Sequence, residues 1–279
     1  MHTMTATQTL DARSQQLRRL VVRMLKGARR GHVGSAFSVI DILRVLYDDV
    51  LRFDPANPKW TGRDRCILSK GHGCLALYAL LADKGFFPHS ELDSVCAADS
   101  ILGGHPDANK VAGVEASTGA LGHGLSIGLG MALHLRIARS DSKVFVILGD
   151  GECNEGSVWE AAMCAGKHRL ANFTAIVDYN KHQAYGSTRE VQDLEPFTDK
   201  WQAFGFAVRE VDGHNIDELR SVFTSLPLDS SKPTAIIAHT IKGKGAPFAE
   251  NNMKWHHKNK VTDQEVENLL TAIGGSNNA

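Results

Sequence analysis

Leu17, Leu20, Val21, Met24, Leu25 and Ala28 recur at intervals of three and four, so the spacing predicts an amphipathic helix over 10–29 that ends before Gly31. After the loop GHVGSAFS, a second apolar stripe of Val39, Ile42, Leu43 and Leu46 predicts another helix, with Ser38 and Asp41 reading as a capping box at its start. RCILS at 65–69 reads as a short strand, and KGHG leads into CLALYALLADKG, a helix closed by Gly85. The pattern from 90 to 115 is mixed: a short helix from Ser90, then the turn-rich ILGGHPDANK. STGALGHGLSIGLGMALHLRIAR follows, a helix whose small residues permit close approach to its neighbours. Four strand patterns, KVFVILG, FTAIVDY, FAVREVD and TAIIAHT, alternate with the helix patterns SVWEAAMCAGKHRL, FTDKWQAF and NIDELRSVFTSL. The loop IKGKGAPFAENNMKWHHKNK and the helix TDQEVENLLTAI end the chain.

Alternation of helices with nearly continuous apolar strands predicts an α/β fold of three layers, a mostly parallel sheet with helices on both faces. With no repeat, low-complexity tract or Pro/Ser linker, residues 1–279 read as one domain. Lys plus Arg and Asp plus Glu balance at 31 each, so no global charge recommends nucleic acid or an anionic membrane as partner. No stretch is long and apolar enough to span a bilayer, and the N-terminus MHTMTATQTLDARSQQ lacks the order of a secretory signal, which points to the cytoplasm. Five cysteines, odd in number and without a C-x-x-C pair, read as reduced packing thiols, Cys153 being the one candidate for reactivity.

The stretch VFVILGDGECNEG (144–156) runs from a buried strand directly into small and acidic residues. In an open α/β sheet ligands gather beyond the carboxyl ends of the strands, where a following helix N-terminus favours phosphate. Asp150 opposes that unless a divalent cation lies between carboxylate and phosphate, as Mg²⁺ does when it takes one or two carboxylates and completes its shell with phosphate oxygens. The next strand ends in Asn180, a second hard oxygen at the same sheet edge. Taken alone, Gly149-Asp150-Gly151 is equally a turn and Asn180 a cap. The longer pattern of G-D-G, an acidic-Gly pair, a helix, a strand and a terminal Asn matches the thiamine-diphosphate motif.

With GDGECNEG…DYN, the segments GHVGSAFS, LSKGHG, LGGHPD, ASTGALGHG and GKGAPFAENNMKWHH occur in the order found in transketolases. Over nearly its whole length the chain resembles the N-terminal, diphosphate-binding part of that family, and especially the separately encoded N-terminal subunit of split transketolases. The resemblance implies the thiamine-diphosphate-binding fold and the cofactors thiamine diphosphate and Mg²⁺. It implies a metal shell of Asp150, Asn180 and the His182 carbonyl, with Gly151 and Gly119 against the cofactor and Leu121 facing its thiazolium side. His72 would reach the diphosphate, and Glu155 matches a residue linking cofactor sites. His105 would bind the donor's terminal hydroxymethyl group, while His32 and His256 would handle the proton of the hydroxyl beside the bond being cleaved. Histidine suits that work because its pKa lies near neutrality. His123, His134, His168, His214, His239 and His257 read as loop or packed residues.

The implied activity moves a two-carbon ketol unit from a ketose phosphate to an aldose phosphate in carbohydrate metabolism of the pentose-phosphate kind. It would need a C-terminal partner subunit carrying the pyrimidine-binding domain and the activating glutamate, in a dimer of heterodimers. Many transketolases have SGHPG where this chain has Arg30-Gly31-His32-Val33-Gly34, TGPLGQG where it has Ala120 and His123, and WHG where it has His256-His257, which leaves the sugar open. A deoxyxylulose-phosphate synthase-like half, an enzyme of branched or modified sugars, the α chain of a 2-oxo-acid dehydrogenase and a non-catalytic cofactor-binding protein stand as alternatives.

Overall fold

The computed structural model describes residues 10–274; residues 1–9, on which part of the secretory-signal reading rests, lie outside the described residues. The strands are β1 (Arg65–Leu68), β2 (Val144–Gly149), β3 (Phe173–Tyr179), β4 (Ala207–Asp212) and β5 (Thr234–His239). The α-helices are α1 (Ala12–Ala28), α2 (Val33–Val45), α3 (Cys74–Asp83), α4 (His123–Ile137), α5 (Gly156–Lys167), α6 (Thr188–Val191), α7 (Phe197–Ala203), α8 (Ile216–Thr224) and α9 (Asp263–Ala272).

All strand pairings are parallel, in the order β1-β2-β3-β5-β4. Every residue of β2 and β3 is buried, which is why these strands read as unbroken apolar runs. Alternate side chains enter two separate cores. Phe145, Ile147, Ile176 and Ile236 pack with α1, α2, α3 and α8, whereas Val146, Leu148, Val177 and Ile237 pack with α4, α5 and α7. Helices therefore cover both faces, as the sequence predicts. The pattern FAVREVD is the exception to continuous apolarity. As β4 it pairs with β5 alone and exposes Arg209 and Glu210, the charges of an edge strand, which discourage a further strand from adding.

The second helix corrects the sequence reading. It begins at Val33, five residues before the expected cap, so Ser38 and Asp41 lie inside it. Their polar groups serve tertiary contacts: Ser38 Oγ donates to Asp178 (2.6 Å), and Asp41, 1% exposed, pairs with Arg18 of α1 (2.7 Å) and accepts from His214 Nδ1 (2.8 Å). Gly34 is required because a Cβ there would stand 2.8 Å from the Trp255 carbonyl oxygen, which packs on the helix. In α4 the small residues act as expected: a Cβ on Gly128 would fall 2.4 Å from Val146 Cγ2, so the helix lies directly on the sheet. The expected short helix at Ser90 is a 3₁₀ turn, His89–Ser94.

All five cysteines are free, and Cys153 is fully buried with its thiol raised well above the ordinary range by that burial and the nearby Glu152, so the reading of packing thiols holds. Among the described residues no helix is long and apolar enough to cross a membrane.

Candidate active site

The carboxyl ends of β1, β2, β3 and β5 lie side by side, and each delivers a charged or polar group to one edge: Lys70 after β1, Asp150 after β2, Asp178 and Asn180 at the end of β3, Lys242 after β5. The parallel register, Gly149 beside Asp178 and Asp178 beside Ala238, makes these neighbours in space although they come from four separate stretches of chain.

Asp178 is wholly buried. Burial alone would raise its pKa, but the Lys70 ammonium, with the Ser38 and Thr240 hydroxyls, holds it below the ordinary carboxylate value. Asp150 is treated differently. Burial and the negative charge of Asp178 push it up to about 6, although Gly151 N–H donates to it at 2.7 Å and Lys181 N–H donates to its other oxygen. The Lys181 contact sets Asp150 directly beside Asn180. Asn180 Oδ1 accepts from His182 N–H (3.1 Å), and Lys242 Nζ donates to the His182 carbonyl (2.8 Å). The three oxygens expected to hold a cation, from Asp150, Asn180 and His182, are thus gathered at one place, with a cationic ammonium already on one of them. Burial, then repulsion from Lys70, lowers Lys242 to about 8.

Glu152, 2% exposed, braces the loop that carries Asp150: its carboxylate accepts from Gly149 N–H (3.1 Å), Gly122 N–H (3.0 Å) and the Ser69 hydroxyl. It thereby joins the ends of β1 and β2 to the start of α4. Leu121 and Glu155 stand exposed on this side, and a Cβ on Gly122 would lie 2.7 Å from Glu155 Cβ.

Above this edge the expected histidines converge. The ring of His32 lies 5.5 Å from His72, 6.3 Å from His105 and 5.8 Å from His256, and His72 lies 6.1 Å from His256. Gly119 sits against this group, since a Cβ there, at φ +149°, would be 3.0 Å from the His105 ring. Burial, then the facing His257, His256, His105 and Lys242, lowers His32 to about 3. Burial, then Lys242 and Lys70, lowers His256 to about 4, and burial and Lys70 carry His72 well below the ordinary value. At neutral pH these imidazoles are uncharged.

Three polar atoms around the edge are buried without a hydrogen-bond partner among the described residues: Ser35 Oγ, one turn before Ser38 on α2, Gln183 Nε2 and His256 Nδ1. The Gln183 side chain adjoins Gly151, where a Cβ would meet its Cγ at 2.8 Å. An anionic ligand with polar oxygens would satisfy such groups, and the hard oxygens of Asp150, Asn180 and His182 suit Mg²⁺. The residues present fit a metal-bound diphosphate.

Sequence reasoning missed Ser35, Lys70, Glu152, Asp178, Lys242 and the position of His257. Asp178 carried a usable signal, an acid inside an otherwise apolar strand; Lys70 lies in the motif LSKGHG, quoted for other residues, and Lys242 immediately precedes GKGAPFAENNMKWHH. The structure also departs from the ordinary reading of His257, whose ring lies 4.3 Å from that of His32.

This fold and edge define a diphosphate-binding α/β protein. Residues 11–279 match the family described as "Transketolase, thiamine diphosphate binding domain", and the chain belongs to that family. It is 42% identical over 260 residues to an apulose-4-phosphate transketolase subunit of Phocaeicola vulgatus, covering 93% of this chain and 92% of that one. It is 42% identical over 255 residues to a 6-deoxy-6-sulfo-D-fructose transketolase subunit of a Clostridium species, covering 91% and 92%. Among solved structures, transketolase from Leishmania mexicana superposes with a TM-score of 0.89 at 28% identity, over 96% of this chain and 42% of that one, so the chain spans about two fifths of that enzyme.

Proposed function

We propose that this chain is the N-terminal, diphosphate-binding subunit of a split transketolase, a single domain that moves a two-carbon ketol unit from a ketose phosphate to an aldose phosphate with thiamine diphosphate and Mg²⁺. The observation that carries the reading is the meeting of Asp150, Asn180 and the His182 carbonyl at adjoining strand ends, beneath a cluster of uncharged histidines.

In this reading Asp150, Asn180 and the His182 carbonyl hold the cation. Lys242 and Lys70 offset phosphate charge, and Ser35 Oγ, Gln183 Nε2 and His72 donate to the diphosphate. Bound thiamine diphosphate supplies an electron sink for the charge left on the former carbonyl carbon of the sugar. The chain's own work is positioning and proton movement. His105 holds the hydroxymethyl end of the donor. His32 and His256, kept neutral by burial, accept the proton of the hydroxyl beside the breaking bond and return it on the reverse step. Leu121, Gly119 and Gly151 leave room for the cofactor, and Glu155 stands toward the neighbouring subunit.

A separately encoded C-terminal subunit completes the site in a dimer of heterodimers in the cytoplasm. The separate partner is supported by the two relatives named as subunits, which the chain matches over 92% of their length. The histidine cluster favours catalysis over mere cofactor binding. Calorimetry tests the core of the reading: Asp150→Ala should abolish Mg²⁺-dependent thiamine-diphosphate binding, whereas His256→Ala should preserve it and slow transfer in the reconstituted enzyme. Undiminished binding by Asp150→Ala overturns the metal assignment.

A further inference from the structure

The resemblance to transketolases breaks at Trp255-His256-His257, where the family pattern ends in glycine, and the structure shows what the extra side chain meets. Gly31 N–H donates to the Lys258 carbonyl and Lys258 N–H to that of Gly31, both at 2.9 Å, in an antiparallel bridge. Val261 N–H donates to Arg29 O at 2.8 Å on the same pair of segments. This pairing sets residue 257 across from residue 32. The His257 ring accordingly lies on His32, with centroids 4.3 Å apart and planes at 31°, the shortest of the four ring contacts His32 makes among the described residues. Backbone pairing, not a chance side-chain rotamer, fixes the placement.

Depth orders the cluster. His32, His72 and His256 are half-buried, while His105 and His257 are exposed and form its solvent side. His257 lies near enough to His32, His105 and His256 for its charge to bear on all three. In the ketol-transfer reading, a sugar whose reacting hydroxyl reaches His32 meets the His257 imidazole on the exposed side of that ring.

We propose that His257 is a specificity-determining residue of this site: its imidazole walls the channel beyond the cleaved bond, excluding long unbranched aldose phosphates and favouring short or compact ones. The inference rests on the ketol-transfer reading above. A side chain placed where a competing substrate must pass discriminates by steric conflict, and its ring nitrogens offer a hydrogen bond to a hydroxyl or phosphate that fits.

The test uses the enzyme reconstituted with its C-terminal partner, thiamine diphosphate and Mg²⁺, with one donor and two acceptors, glyceraldehyde 3-phosphate and ribose 5-phosphate. His257→Gly should raise kcat/KM for the five-carbon acceptor relative to the three-carbon one by about ten-fold or more. His257→Gln, which keeps the bulk, should retain the wild-type ratio, and calorimetric affinity for thiamine diphosphate should be unchanged in both. An unaltered ratio in His257→Gly, or the same shift in His257→Gln, overturns the proposal. A wild-type enzyme that transfers no two-carbon unit to either acceptor instead brings down the ketol-transfer reading, and this inference with it.

Discussion

Replacing Arg18 by Met tests whether the buried charge cluster behind the sheet holds the fold together. Arg18 is fully buried, and all five of its N–H donors are used inside the protein: Nε to Lys244 O (3.0 Å), Nη1 to Asp41 Oδ1 (2.9 Å) and Ser14 O (3.4 Å), Nη2 to Asp41 Oδ2 (2.7 Å) and Phe37 O (3.2 Å). Met fills similar volume but, among the described residues, leaves Asp41 with only the Ser14 hydroxyl (2.8 Å) and His214 Nδ1 (2.8 Å) as side-chain partners. Removing one partner of a buried pair costs about 3–5 kcal/mol, because the other charge stays in the interior uncompensated. Urea unfolding at pH 7, followed by both fluorescence and circular dichroism, should show that loss. Asp41→Asn in the same background should recover part of it, with a coupling energy of about 2 kcal/mol or more. The pH dependence carries a sign. Burial would raise Asp41, but Arg18 and His214 hold it well below an ordinary carboxylate. Its contribution is therefore complete above the unfolded pKa of about 3.9 and drains away as pH falls further, since the unfolded chain then binds more protons. The gap between wild type and Arg18→Met should narrow in acid. A loss under about 1 kcal/mol, or a gap constant from about pH 7 to 3, would refute the argument.

Three further outcomes follow from the geometry. In NMR titrations of the unliganded chain, His32 and His256 should stay neutral down to about pH 5, because their values lie at about 3 and about 4; a midpoint near 6.5 for either would contradict the burial argument. Unfolded histidine takes up a proton near 6.5, so these two residues make stability rise with pH between about 4 and 6.5. Gly166→Ala should lower stability by about 1–3 kcal/mol or more, since its Cβ would sit 1.8 Å from the Phe204 carbonyl oxygen; Gly130→Ala, with nothing within 4 Å in mid-helix, should raise it by about 0.5–1 kcal/mol, and equal effects in thermal melts would discredit the packing. Ser35→Ala should weaken Mg²⁺–thiamine-diphosphate binding about ten-fold, the worth of a hydrogen bond to a charged group, with little change in unliganded stability; unchanged affinity removes Ser35 from the site.

The amino-acid sequence by itself determined the layers and the polar groups at the strand ends. Runs such as VFVILG and FTAIVDY are apolar throughout because both their faces are covered, so periodicity alone called for a parallel sheet between helices, and Asp150 and Asn180 were legible because polar groups at strand tips interrupt an otherwise uniform pattern. Only the tertiary structure decided what the interior charges do. Ser38 and Asp41 carry the local signature of a helix start, yet they lie inside α2, because distant Asp178 and Arg18 satisfy them and no window of neighbouring residues contains those partners. His257 reads as an ordinary loop histidine until the bridge between Gly31 and Lys258 brings it onto His32, more than two hundred residues earlier. Short-range pattern records which face of an element is buried; pairing between remote segments settles which charges meet there.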